Sequence, residues 1–365
     1  MVTTEAINLD YWRVYHPLPL DVTTLVTIRR TRKVDSSRTN TDELQPPPGD
    51  LQMADKDAVS EASIAAADQN SRYWTAANVK GPIAVGSALH RQVTCRMFRE
   101  TFNPYKPSII DWPMLSSEAK GRLVRLPIWN IAVQTEGKAR LRMISYANSL
   151  GDQEWCTAIG LNGWEEGRHK IVLSNLVQAY GISLEPEPEY IEPRDTEWAY
   201  LVTGFSECID SFFAFGLFEL AKRSGFFPME LVDTFEPVIQ EECRHILLFA
   251  NWVAWHRRTM PWYKRLLFEL RVAAVWVFLG WERFGIARGM DEGTKVNAQD
   301  NNFTVTGSKS VSNVDISAAD LMRICLSEND RRFAGYDHRL LRPTTTPKLV
   351  RFALRFTRRK PASAT

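Results

Sequence analysis

Two five-residue phrases of nearly identical sequence, Glu165-Glu166-Gly167-Arg168-His169 and Glu241-Glu242-Cys243-Arg244-His245, lie 76 positions apart (242 − 166). In each, the second Glu and the His are spaced i, i+3, which on a helix puts a carboxylate and an imidazole on one face about one turn apart. One such helix supplies half of a metal site. Two facing helices of this kind, with one further Glu from each of two partner helices, supply the six ligands of a di-iron or di-manganese carboxylate box in a four-helix bundle.

The elements that would position such a box can be sought by helix arithmetic. About 20 residues of helix and a short turn imply partner carboxylates roughly 30 to 35 positions upstream of each Glu-x-x-His. Glu136 lies 30 before Glu166, and Glu207 lies 35 before Glu242. The proposed ligands also fall on apolar seams at helical spacing. Phe235, Val238, Phe249 and Trp252 accompany Glu242 and His245. Trp155, Ile159, Leu173 and Leu176 accompany Glu166 and His169, and Ala132, Ala139, Met143 and Tyr146 accompany Glu136. Around Glu207 two seams can be drawn, one through Asp210, so Asp210 stays open as a rival or supporting carboxylate.

Glu, Arg and His at helical spacing are often only a solvated face, and a lone Glu-x-x-His has a high false-positive risk. The duplication on apolar seams changes this, because four unpaired buried carboxylates would each cost several kcal/mol unless cations held them. Mixed carboxylate and imidazole ligands suit iron or manganese better than zinc, which is more often four-coordinate. Two Fe ions, or a Mn/Fe pair, could then give electrons to dioxygen, with the protein contributing ligand placement and a dry pocket.

On the residues Glu136, Glu166-x-x-His169, Glu207 and Glu242-x-x-His245, the chain resembles the ferritin-like di-iron carboxylate superfamily over roughly residues 127 to 258. That superfamily includes ferritins, rubrerythrins, ribonucleotide reductase small subunits and bacterial multicomponent monooxygenases. The acidic residue before each Glu-x-x-His glutamate is similar to the N-oxygenase type that converts arylamines to nitro compounds. The segment Leu126-Pro127-Ile128-Trp129-Asn130-Ile131-Ala132 is similar to that of bacterial ferritin-like proteins. The resemblance implies an all-α fold, a ferritin-like four-helix bundle with additional N- and C-terminal helices. It also implies an oxidoreductase that activates dioxygen to oxidise or oxygenate a small-molecule substrate.

Several neighbours of the ligands carry two readings. Glu165 with Arg168, and Glu241 with Arg244, could form i, i+3 ion pairs within one helix, or could orient ligands on a neighbouring helix. Tyr146, Tyr180 and His256 share ligand seams, where a tyrosine could serve the centre or, more commonly, fill core. Cys208 and Cys243 adjoin ligands in sequence but point about 100 degrees away, as packing residues do. Gly204, Ser211 and Ala214 could leave a substrate cavity or allow close helix packing.

The 365 residues, 44% hydrophobic with a net charge of +2, provide ample core and no bulk attraction for nucleic acid. Five scattered cysteines without a Cys-x-x-Cys pair suit a reducing, cytoplasmic compartment, and Asp10, Arg13 and His16 interrupt any leader-like apolar run. We expect an irregular arm and linker over 1–53, with a short strand at Thr23–Ile28, and a helical lead-in over 54–116. The bundle would occupy 117–258, with helices at 117 to 150, 153 to 180, 195 to 224 and 228 to 258. A helix packed on the bundle is expected over 259–290, then a loop and basic tail over 291–365. In that tail Leu349, Phe352 and Phe356 alternate with Lys348, Arg351, Arg355 and Arg358, a pattern that suits peripheral contact with an anionic membrane or a tail docked on the protein. An external electron donor and a homodimer are compatible with the chain. Two other function classes remain: a ferroxidase or iron-handling protein, and a helical binding protein with a structural metal. Against iron storage, the long appendages at both ends would obstruct assembly into a shell.

Overall fold

The computed structural model describes residues 60–103, 112–187, 189–291 and 316–356, and among them it is all-helical. The helices are α1 (Glu61–Arg72), α2 (Ala88–Glu100), α3 (Ser117–Val124), α4 (Trp129–Ser149), α5 (Gln153–Tyr180), α6 (Thr196–Arg223), α7 (Met229–Thr259), α8 (Trp262–Asp291), α9 (Ala318–Phe333) and α10 (Thr345–Leu354). The expected strand at Thr23–Ile28, the linker, most of the 291–312 loop and the end of the tail lie outside the described residues.

Local chemistry sets the long helices. Asp152 caps α5 by accepting from the backbone N–H of Glu154 and Trp155, and α5 ends at Gly181, whose φ of 69° is a left-handed conformation suited to glycine. Asp195 caps α6 through the N–H of Trp198. Pro228 precedes α7, where its missing N–H costs nothing. The single helix expected over 117 to 150 is two, α3 and α4, separated by a turn at 125–128. Pro127 lies in that turn, and proline disfavours helical geometry in the residue before it.

Four long helices close a ring in which α4 packs on α5, α5 on α7, α7 on α6 and α6 on α4. Helix α2 lies against α5 and α7, while α8 and α9 cover α6. The apolar core falls into two clusters along the ring. One holds Met143, Tyr146, Trp155, Ile159, Tyr200 and Trp252. The other holds Trp129, Val133, Leu173, Leu176, Tyr180 and Leu231. Residues 136, 165–169 and 241–245 fall between these clusters along their helices, so a polar layer is sealed above and below by hydrocarbon.

Helix α6 is long and apolar enough to cross a membrane by composition, and its place in the ring, covered by α8 and α9, accounts for that apolarity. Gly204 permits the close approach of α6 to α7, since a Cβ there would stand 2.2 Å from the Phe249 ring. Of the two readings of this small residue, close packing is the one the contact supports.

Candidate metal centre

Helices α5 and α7 bring the two repeated phrases face to face. Glu166, His169 and His245 are buried, and each offers a ligand atom within 4.8 Å of the others, a group that could hold a metal ion. Glu242 stands between the two imidazoles, 3.2 Å from His169 Nδ1 and 3.7 Å from His245 Nδ1. Glu136 of α4 approaches His169 Nδ1 at 4.0 Å, and Glu166 approaches His245 Nδ1 at 2.9 Å. Glu136, Glu166, His169, Glu242 and His245 are therefore drawn to one interior region. Glu207 of α6 has both carboxylate oxygens buried without a hydrogen-bond partner.

The first Glu of each phrase does something different from the second. Glu165 Oε2 lies 2.9 Å from His245 Nε2, and Glu165 Oε1 accepts from Arg244 Nη1 at 2.6 Å. Reciprocally, Glu241 Oε2 lies 2.8 Å from His169 Nε2, and Glu241 Oε1 accepts from Arg168 Nη2 at 2.8 Å. Each phrase thus orients the imidazole and guanidinium of the other. Of the two readings for these residues, the cross-helix pairing dominates, and the intrahelical Arg168–Glu165 contact is longer at 3.6 Å.

Helix α2 and its C-terminal turn complete the outer layer, a role the sequence pattern did not announce. Arg244 donates to Thr101 Oγ1 at 2.7 Å and to the Phe98 carbonyl at 2.8 Å, with its guanidinium 4.5 Å from the Phe98 ring centre. Arg168 donates to the Asn103 carbonyl and lies over the Trp164 and Phe102 rings. These partners are 65 to 146 residues away in sequence, so only the fold could reveal them.

This arrangement fixes which imidazole nitrogen faces the interior. A carboxylate at Nε2 holds the proton there and turns Nδ1 toward the site, the usual supporting arrangement for a metal-ligating histidine. His169 Nδ1, His245 Nδ1, Glu166 Oε1 and both oxygens of Glu207 are buried without a hydrogen-bond partner. So many orphaned buried donor and acceptor atoms on one centre are costly, and a cation would satisfy all of them. The residues present fit a metal.

Their ionisation reflects the same crowding. Burial, reinforced by the charge of Glu166, pushes the carboxyls of Glu136 and Glu207 well above the usual carboxylate range. Burial opposes charge on His169 and His245, yet the hydrogen bond to Glu241 for His169 and the charge of Glu166 for His245 outweigh it and raise both. Burial likewise opposes charge on Glu165, but Arg244 and His245 hold its carboxyl down to about 2. In Glu242 contacts with His169 and His245 overcome burial and lower it.

Four residues on the expected ligand seams have partners elsewhere in the fold. Asp210 accepts from Ser206 and from Arg283 of α8, each at 2.8 Å, which commits it to the α6–α8 contact. Tyr146 stacks on Tyr200 at 4.4 Å and meets Trp252 edge-on, so it belongs to the aromatic cluster above the polar layer. Tyr180 donates to the Pro113 carbonyl at 2.9 Å, and His256 pairs with Glu197 at 3.1 Å. Cys208 and Cys243 are buried thiols, the latter pushed up to about 12 by burial, and neither is suited to act as a thiolate ligand.

The chain matches no protein-family model, no curated protein and no solved structure.

Proposed function

We propose that this chain is a ferritin-like carboxylate protein that binds two metal ions, iron or a manganese/iron pair, through Glu136, Glu166, His169, Glu207, Glu242 and His245. Its proposed activity is an oxidoreductase one, activation of dioxygen for oxidation or oxygenation of a small organic molecule. The observation that carries the reading is the pair of crossed carboxylate–imidazole contacts, which leave two histidine Nδ1 atoms aimed at one cluster of glutamates.

When bound, a pair of iron ions would supply the electrons for dioxygen reduction that the side chains lack. The protein's share is placement. Glu165 and Glu241 hold the Nε2 protons and so keep both Nδ1 lone pairs directed inward. Glu242, within reach of both imidazoles, and Glu166, against His245, would hold the cations together with the two histidines, and Glu136 and Glu207 from the flanking helices would complete the set. The two apolar clusters keep bulk water from the layer between them, as oxidative chemistry needs.

The test is anaerobic loading with Fe(II), metal analysis, then admission of oxygen. We expect about two metal ions per chain, as the six-ligand site requires, and rapid oxygen uptake, both lost in Glu166→Ala. Less than one metal per two chains, or oxygen uptake equal in Glu166→Ala and wild type, would end the reading. Iron mineralisation with sustained Fe(II) turnover would move it to iron handling.

A further inference from the structure

Helix α8 carries its charges on the wrong side for a solvated helix. Arg271 pairs with Asp195 and Glu197, Arg283 with Asp210, and Glu269 with Arg257, all turned toward the ring. Its outward face is left almost without charge. Leu266, Leu267, Leu270 and Val277 are 58 to 73% exposed along its middle. Trp262 and Tyr263 stand exposed at one end, and Trp281 and Phe284 at the other. From Trp262 to Phe284 the charges that reach solvent are gathered near one end, Lys264 with the side chains of Arg265 and Glu269, which are 43% and 40% exposed. At 1.5 Å per residue this face runs for about 33 Å, far beyond the scattered apolar residues of an ordinary surface.

Helix α10 continues the same surface. A groove of about 300 Å³ is bounded by Ile209 and Phe213 of α6, Trp276 of α8 and Leu349, Val350 and Ala353 of α10. The outward residues of α10, Leu349, Phe352 and Phe356, are exposed beside Lys348, Arg351 and Arg355. From Thr345 to Thr365 the sequence holds six cations and no acidic residue.

We propose that the outer faces of α8 and α10 form one surface that seats the protein on a single leaflet of an anionic lipid bilayer. The inference is independent of what the metal centre does. Charge selects this occupant. Apolar side chains with terminal aromatics match the acyl and interfacial region of a leaflet, and a predominantly basic rim, in which Arg351 pairs with Asp330 at 3.3 Å beside Lys348 and Arg355, matches anionic headgroups. A second copy of the chain fits poorly, because a two-fold contact through this surface would set the α10 cations against their own copies. The inward charges of α8, paired with the ring helices, hold it flat along the leaflet.

The test is flotation of the full-length protein with vesicles of phosphatidylcholine alone and of phosphatidylcholine with phosphatidylserine, at low and high salt. Sedimentation of the lipid-free protein and circular dichroism of each variant accompany it. We expect flotation with the anionic vesicles and its weakening by salt. Arg351→Ala/Arg355→Ala should bind roughly twenty-five-fold more weakly, about fivefold per removed charge. Val277→Glu/Trp281→Glu should not float. The arginine variant keeps the apolar face intact, so it tests the basic rim even if the double glutamate variant misfolds. Absence of flotation with anionic vesicles, equal binding by folded variants and wild type, or a lipid-free dimer that Val277→Glu/Trp281→Glu dissociates would overturn the proposal, the last in favour of a second copy.

Discussion

Glu165, Glu166, Arg168 and His169 on α5 and Glu241, Glu242, Arg244 and His245 on α7 place eight ionisable side chains between two hydrocarbon clusters. From Trp262 to Phe284 the outward positions of α8, one helix away, offer solvent mostly hydrocarbon, with Lys264, Arg265 and Glu269 the charges that reach water. Polarity is thus inverted twice, inside the ring and outside it, but the two inversions differ in how far the protein balances them itself. In the ring the charges of the two repeated phrases are cross-paired, Glu165 with Arg244 and Glu241 with Arg168, while His169 Nδ1, His245 Nδ1 and both oxygens of Glu207 are orphaned at the centre. On α8 nothing within the described chain covers the apolar side chains. Buried charge is costly enough to need a lattice of partners, whereas exposed hydrocarbon costs the folded chain little relative to the unfolded one.

The sharpest way to break the comparison is inside the ring. Arg244→Met removes the guanidinium that serves Glu165, Thr101 and the Phe98 carbonyl and leaves a buried carboxylate short of its cation. We expect a loss of about 3–5 kcal/mol, read by urea unfolding. A loss below about 1 kcal/mol, the worth of an exposed ion pair, would show that these charges are not balanced as a unit.

A second test follows ionisation. His169 and His245 have folded values raised above 6.5, so their contribution is complete below that pH and is lost as pH rises through the folded values. Glu136 and Glu207, raised above 4.5, lose theirs in the same direction. Glu165 and Glu242, lowered from 4.5, lose theirs only as pH falls through their folded values. The Tm of metal-free protein should therefore decline as pH rises above the ordinary histidine range, and a bound cation, which displaces the same protons, should flatten that decline. Parallel Tm curves for the two forms would contradict the proton-for-metal exchange.

The smallest effect is expected on α8. Leu270→Gln should change stability by no more than about 0.5 kcal/mol, as for other exposed positions. A loss of several kcal/mol by the same urea titration would mean that this face is covered in the free protein.

The ring residues were largely legible in the sequence because helical spacing is a one-dimensional rule. Glu166 with His169, and Glu242 with His245, share a turn wherever the helix goes, and the 30- and 35-residue offsets to Glu136 and Glu207 follow from helix length. The crossing of Glu165 to His245 and Glu241 to His169 was not legible, since spacing alone fits an intrahelical pair equally well. Nor was the part played by Thr101 and Asn103, which contact α7 and α5 only through tertiary packing. Spacing put Asp210 on a plausible seam but could not show that Arg283, 73 positions on, reaches it. Helix α8 was expected to pack on the bundle, and it does, on one side. Its period could not say that the charged side faces inward.

The crossed contacts also bear on how the chain matures. The first phrase emerges from the ribosome 76 residues ahead of the second (242 − 166), a delay of several seconds at ordinary synthesis rates. Through that interval His169 has no Glu241 to hold its far nitrogen, and Glu165 has no Arg244. If the proposed metal centre is right, a nascent half-chain holds Glu136, Glu166 and His169 without the contacts that orient them, and capture of an ion would wait until α7, with Glu242 and His245, has been made and has docked.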